Sequence, residues 1–308
     1  CGLGLFSCQA WRRYVQADES NKNQMANGIC RIYLSDEHKA ANARTLKWMR
    51  DAGMSAYVDN VGNVRGRYAG ATEDAPVLLI GSHLDTVPDA GAYDGILGVL
   101  LGISVVEVLN QRAERLPFAI EVIGFGEEEG VRFGTTLMTS RALAGTWDAS
   151  WWSLKDESGI SVKEAFRHFE LDPDNLDEVA LNPSEVLGYV EVHIEQGPVL
   201  EAETLPLGVV TAIAGAKRLQ IRIDGQAGHA GTTPMVLRRD ALVAASRAVA
   251  RAEEVANKFD VVATVGQISC EPGGVNVIPR SADFSLDIRS GDDPLRDAAL
   301  AEFLSELN

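Results

Sequence analysis

At 308 residues, with 46% hydrophobic and 23% charged positions, the chain is long enough to bury more than one core and too apolar to be disordered, collagen-like or low-complexity. Its 28 Lys and Arg face 44 Asp and Glu; a net charge of −16 repels a phosphate backbone, so nucleic acid is not an expected partner. The longest near-continuous apolar run, residues 96–109, is too short to span a bilayer and carries Ser104 and Glu107, so no membrane partner is expected either.

Residues 1–25 have no clear period and are given no function. Arg12 and Arg13 follow the mildly apolar residues 1–11, whereas a signal peptide sets its positive charge first, and the expected location is cytoplasmic. Cys1, Cys8, Cys30 and Cys270 show neither C-x-x-C spacing nor the density of a disulfide scaffold, which favours reduced thiols. Ser35 is an N-cap followed by Asp36 and Glu37, and Ala40, Ala43, Leu46 and Met49 recur at helical spacing until Gly53, which predicts an amphipathic helix with a glycine stop. Residues 77–80, 118–125 and 189–194 predict strands, the third with alternating Val190, Val192 and Ile194, and residues 96–109 predict a helix between the first two. Strand, helix, strand in that order implies parallel neighbours in an α/β sheet. The polar residues 147–184, with Asp172-Pro173 and Asn182-Pro183, predict a surface insertion with a short helix around 162–169. Beyond Thr211 the pattern changes to an alternating strand at 217–224, an Ala-rich helix at about 235–259, and strands at 261–268 and 282–288. The expected organisation is therefore a domain over 1–211 and a second, over 212–308, with one sheet and helices on one face.

Residues with chemical potential gather where the predicted strands end, the usual place for a site in an open α/β sheet. Gly81-Ser82-His83-Leu84-Asp85 follows the first strand. His83 and Asp85, two apart, share one side of an extended chain, so the imidazole can offer one nitrogen to a metal while the carboxylate takes the other N–H. Asp94 follows in Tyr93-Asp94-Gly95, at the mouth of the helix. Glu127-Glu128-Glu129-Gly130 ends the second strand. Adjacent carboxylates repel unless a cation or proton lies among them, so one can be a ligand and its neighbour a general base with a raised pKa. His193-Ile194-Glu195-Gln196-Gly197 ends the third strand, completing a mixed N/O set that suits zinc, manganese, cobalt or nickel. Taken singly, a strand-end His is more often part of a hydrogen-bonded core and a Glu triplet a solvated face; their conjunction is what points to a metal. Gly124-Phe125-Gly126 does not complete G-x-G-x-x-G, and glutamates stand where a pyrophosphate would lie. With no G-x-S-x-G and no cysteine in an activating motif, a covalent serine or cysteine hydrolase is not expected.

These stretches resemble one family. Gly81 to Val87, Tyr93-Asp94-Gly95, Glu127 to Phe133 and Val192 to Pro198 are followed by Gly228-His229-Ala230-Gly231-Thr232-Thr233-Pro234-Met235, Gly274 to Pro279 and Leu286-Asp287-Ile288-Arg289. Their order is similar to that of the hydantoinase/carbamoylase branch of the dimetal aminoacylase and carboxypeptidase clan, which includes N-carbamoyl-L-amino acid hydrolases, allantoate amidohydrolases and β-ureidopropionases. The resemblance runs from about Asn27 to the last residue. It implies an α/β, dimetal aminopeptidase-like catalytic domain with a mixed sheet flanked by helices, and a smaller α+β lid domain through which a homodimer forms. It also implies two divalent ions, Zn2+ or Mn2+ with Co2+ or Ni2+ as alternatives. Asp94 would bridge them, His83 and His193 would complete one site, and Glu129 would contribute to the other. Asp85 takes the place of the partner of His83, and Glu128 that of the general base. His229 takes that of an oxyanion stabiliser that reaches a neighbouring subunit's site. Asn276, Arg289 and Gln196 take the places that hold a substrate carboxylate. Arg218 is a weaker candidate, since many relatives carry Gln-Arg-Arg where this chain has Ala216-Lys217-Arg218.

The implied reaction is hydrolysis of a ureido C–N bond in a small carboxylate. Allantoate is ranked first on the Ala212-Ile213-Ala214-Gly215 and Gly228-to-Pro234 stretches, with N-carbamoyl-L-amino acids or a β-ureidopropionate as alternatives. The family draws a final His ligand from a glycine-rich motif beyond the lid, and His38 and His168 lie in the wrong parts of the chain to replace it. The expectation is thus a C-terminally shortened family member, with a non-catalytic remnant holding one ion or none as the competing reading.

Overall fold

In a computed structural model of the chain, the described residues are 28–176 and 178–307. The first 27 residues, with Cys1 and Cys8, lie outside them; Cys30 and Cys270 are free thiols. The chain divides into two compact units between Pro198 and Val199. The sequence reading divides it at 211/212, inside a stretch, 203–214, that has neither helix nor strand.

The first unit opens with helix α1 (Asp36–Asp51), where Ser35 Oγ accepts the N–H of His38. Its buried face corrects the expected one: His38, Asn42, Thr45, Trp48 and Met49 are buried, while Ala40 and Ala43 are exposed. The polar members turn inward because they find partners there, as where Asn42 Nδ2 donates to Gly62 O at 3.0 Å. Two strands that the sequence reading missed come next, β1 (Ser55–Val58) and β2 (Val64–Tyr68). Their signal is hidden because Arg65 is buried on β2, its Nε donating to Glu121 Oε1 at 2.6 Å, which puts a charge where an apolar residue would mark a strand. Then follow β3 (Val77–His83), α2 (Ile96–Gln111) and β4 (Ala119–Phe125). The short helices α3 (Met138–Leu143) and α4 (Val162–His168) precede β5 (Val186–Val190).

The sheet order is β1-β2-β4-β3-β5, with β3 parallel to both β4 and β5 and the other pairs antiparallel, so the sheet is mixed. Alternate residues feed two cores. Val77, Leu79, Ala119 and Ile123 join one, and Ile120 and Val122, with Ile80 at its edge, join the other, against α1 and α2. Burial on both faces is why these strands read as continuous apolar runs. Residues 147–184 are not a surface insertion: Trp151, Val162, Ala165, Phe166, Phe169 and Val179 belong to the first core. The helix α4 within them carries a capping box between Ser161 and Glu164. The third expected strand lies earlier than predicted. Pairing ends at Ile80↔Val190, and beyond it Ser82 Oγ donates to the Glu191 carboxylate at 2.7 Å, a side-chain bond in place of the ladder.

The second unit starts with the one-turn α5 (Val199–Ala202) and builds its sheet from β6 (Gly215–Asp224), β8 (Val262–Thr264), β9 (Ile268–Glu271) and β11 (Ser281–Ser290), with β7 (Gly228–His229) and β10 (Val277–Ile278) as a separate pair. β11 pairs with β6 along one edge and with β8 and β9 along the other, so the expected strand at 261–268 is broken in two. The Ala-rich helix α6 (Ala241–Phe259) starts later than predicted because Asp240 caps it, and α7 (Asp293–Ser305) closes the unit. Ala245, Ala248, Ala252, Phe284, Leu286 and Phe303 are among the residues that pack between these helices and one face of the sheet. Among the described residues no helix is long and apolar enough to cross a membrane.

Candidate metal centre

The carboxyl ends of β3, β4 and β5 bring the predicted ligands of the first unit together. His83 is the last residue of β3, and the chain returns at Asp94 just before α2. Gly95 caps that helix at φ 69°, where a Cβ would stand 2.6 Å from the His83 ring, so only glycine lets the helix start this close. His193 follows β5. His83 Nε2 and His193 Nε2 are 3.3 Å apart, and Asp94 Oδ1 lies 3.5 Å from the first and 3.2 Å from the second.

The outer ring nitrogens settle the tautomers. His83 Nδ1 is 2.9 Å from Asp85 O and His193 Nδ1 is 2.9 Å from Ile194 O, so each Nδ1 donates outward and, in the neutral ring, each Nε2 directs a lone pair inward. Asp94 Oδ1 is buried without a hydrogen-bond donor. Two lone pairs and a carboxylate oxygen facing one another repel unless a cation or a proton lies between them, and this donor set fits a divalent ion. In the absence of an ion, burial pulls His83 down, but hydrogen bonding to Asp85 and its charge outweigh that and raise the imidazole to about 9. A second group, His83 with Glu128 and Glu129, shares the same imidazole.

Glu128 and Glu129 sit in the segment after β4, and side chains from elsewhere hold its backbone. Five successive N–H groups donate to side-chain oxygens: Gly126 to Asn63 Oδ1 (3.0 Å), Glu127 to Thr139 Oγ1 (3.3 Å), Glu128 to both oxygens of Asp85 (3.0 Å each), Glu129 to Asp85 Oδ2 (3.0 Å) and Gly130 to Glu127 Oε1 (2.5 Å). Asp85, expected as the carboxylate partner of His83, therefore has a larger task. Its Oδ1 is 3.5 Å from His83 Nδ1, while both of its oxygens anchor the glutamate turn. Burial raises the carboxyl groups of Glu128 and Glu129; nearby carboxylates add to the rise and His83 opposes it. Gln196, expected at a substrate carboxylate, donates from Nε2 to Asp94 Oδ2 at 2.8 Å.

Asn63 and Thr139 were not singled out from sequence. The only signal was the Asp59-to-Asn63 turn, where Asp59 accepts from Val61, from the Asn63 N–H and from Asn63 Nδ2.

The remaining predicted residues lie on the second unit. His229, on β7, pairs in register with Val277, and the Ala230 N–H donates to Asn276 O, so the small antiparallel pair β7–β10 brings the backbones of His229 and Asn276 together. Arg289 grips Asp287 with two bonds (2.8 and 2.9 Å) and Arg218 Nε adds a third at 3.0 Å, which holds the Asp287 carboxyl down to about 2. Both arginines line an open groove of about 700 Å3 on the sheet face away from α6 and α7.

The chain is 43% identical over 288 residues to an N-carbamoyl-L-amino acid amidohydrolase of Geobacillus stearothermophilus, covering 93% of this chain and 70% of that protein. It is 43% identical over 306 residues to an allantoate deiminase of Arabidopsis thaliana, covering 92% and 58%. Among solved structures it is similar to an amidase of the hydantoinase/carbamoylase family from Burkholderia multivorans, with a TM-score of 0.88 and 34% identity over 97% of this chain and 72% of that one. The chain thus spans 58 to 70% of the length of these two curated relatives. Residues 79–275, which include every predicted site residue except Arg289 and Asn276, match the family model directly, and the chain belongs to peptidase family M20/M25/M40.

Proposed function

We propose that this chain is a metal-dependent amidohydrolase that cleaves the ureido C–N bond of a small carboxylate, with allantoate as the first substrate and an N-carbamoyl-L-amino acid as the second. The observation that carries the reading is the convergence of His83 Nε2, His193 Nε2 and Asp94 Oδ1 beside Glu128 and Glu129. The second substrate is retained because relatives named for each compound are equally similar, at 43% identity.

In this reading His83, His193 and Asp94 hold one divalent ion, and Asp94 with Glu129 contributes to a second, Zn2+ or Mn2+. Such ions supply Lewis acidity and make water a competent nucleophile near neutral pH. Glu128 takes the proton from the attacking water and delivers it to the leaving nitrogen as the C–N bond breaks; its raised carboxyl pKa suits both transfers. Asp85 keeps Glu128 in place, and Gln196 steadies Asp94. His229 stabilises the developing oxyanion, and Asn276, Arg289 and Arg218 hold the substrate carboxylate, for which a guanidinium fork is the natural partner. Pairing of two chains through the second unit and a cytoplasmic location complete the proposal.

The test is turnover of allantoate and N-carbamoyl-L-amino acids side by side, with metal content counted on the same sample. Glu128→Gln should keep the metal and lose at least about a hundredfold in kcat. Near-normal turnover in that variant dismisses Glu128 as the base. Turnover of N-carbamoyl amino acids without allantoate reverses the substrate order, and a chain that holds one ion or none and turns over neither is the non-catalytic remnant.

A further inference from the structure

We infer that Glu127 is a positioning residue: its buried carboxyl group clamps the turn bearing Glu128 and Glu129 to the start of α3. The inference rests on the reading of Glu128 as base and Glu129 as ligand given above. Glu127 belongs to neither ligand group, and it is only 2% exposed, so it meets neither solvent nor substrate. Its two oxygens hold two separate points farther along the chain. Oε1 accepts the N–H of Gly130, three residues on, and Oε2 accepts the N–H of Met138 at 3.0 Å, eleven residues on.

Its backbone is tied to the same helix, since its N–H donates to Thr139 Oγ1 and its carbonyl accepts from that hydroxyl at 3.2 Å. Glu128 O in turn accepts the Leu137 N–H at 3.2 Å. Both ends of the clamp are backbone reversals, Gly130 at φ 72° and Leu137 at φ 63°, the latter a left-handed conformation that a leucine keeps only when its surroundings impose it. No strand or helix ladder fixes residues 126–130, so the directions of Glu128 and Glu129 are set by Asp85 on one side and Glu127 on the other. A shift of about 1 Å in a reacting or ligating group is enough to cost orders of magnitude in rate, which is what such a clamp prevents.

Glu127→Gln tests this, because the amide keeps one acceptor oxygen and turns a nitrogen that cannot accept toward the other N–H, whatever the charge of the native carboxyl. Two measurements are made on chelator-treated protein: backbone hydrogen exchange by mass spectrometry, and titration with Mn2+ alone. Peptides spanning 126–138 should exchange at least about tenfold faster while peptides from β3 and α2 keep the parent's rates, and Mn2+ should bind about 10- to 100-fold more weakly. Unchanged exchange over 126–138 overturns the inference. Faster exchange with undiminished Mn2+ affinity also overturns it, by reducing Glu127 to a structural cross-link. A parent chain that takes up no Mn2+ defeats the metal reading of the proposed function, while the exchange comparison still decides whether Glu127 holds the turn. If Glu127→Gln does not fold, Glu127→Asp, which keeps the charge and loses one methylene of reach, carries the same comparison.

Discussion

His38 is completely buried on α1, its ring stacked on Phe169 with centroids 5.0 Å apart. Its Nδ1 accepts the Leu34 N–H at 3.0 Å, so the neutral ring carries its proton on Nε2. Burial lowers the imidazole from 6.5 to about 4, with the charge of Asp85 only partly opposing it. The unfolded chain therefore binds this proton near pH 6.5 and the folded chain only near pH 4. The stability owed to the neutral ring is full above pH 6.5 and is lost as the pH falls toward 4, by about 3 kcal/mol in all. Urea titrations from pH 7 to 4 should show that excess slope in the parent and not in His38→Asn; equal slopes would refute it. The residue scale is also where sequence reading was strongest and weakest. The convergence of His83, Asp94, Glu128, Glu129 and His193 is legible because strand ends concentrate unusual groups. The tasks of Asp85 and Glu127 are not, because an acceptor for distant backbone N–H groups leaves no spacing in the sequence.

At the scale of elements, α2 shows a helix chosen for closeness over propensity. A Cβ on Gly98 would stand 2.2 Å from Val192 O and 2.8 Å from Ser82 Cβ, and one on Gly102 would press Ile80 and Val122 at 3.1 Å. Alanine is ordinarily better than glycine within a helix by about 1 kcal/mol. Gly98→Ala should nevertheless destabilise the first unit by about 1–3 kcal/mol, because a backbone carbonyl cannot move aside as a side-chain tip can. Tryptophan fluorescence in urea reads this directly, since every described tryptophan belongs to that unit; a stabilised variant would show that the helix has slack. β3, β4 and α2 are legible in sequence because they are buried on two sides, where apolar runs are unbroken. Where polar residues turn inward the pattern misleads: β2, with Arg65 buried, is missed, and α1 is located but its buried face is not, because His38, Asn42 and Thr45 lie on it. Hydrophobic periodicity locates a buried face only when that face is apolar.

For the whole molecule, the units share no core: among the described residues the first has two and the second one. The core of the second packs Phe284 of β11, 1% exposed, with residues of α6 and α7. Phe284→Ala should cost the second unit about 3–5 kcal/mol, seen as faster hydrogen exchange in peptides from α6, α7 and β11. Exchange left unchanged there would place the stability of that unit elsewhere. An α/β sheet followed by a smaller unit with one sheet and helices on one face is legible in sequence because the change of period is coarse, whereas the mixed pairing of the first sheet follows only from the family resemblance. The position of the division is not legible, because residues 203–214 have no pattern to place it. The parallel pairing of β3 with β4 sets His83 opposite Phe125, two residues before Glu127. A slip of one residue along that ladder would carry His83 about 3.3 Å from its place and turn its ring to the opposite face of the sheet. One strand register thus serves as the ruler of the centre: where it holds, His83 meets Asp94 and His193, and where it slips the three groups part.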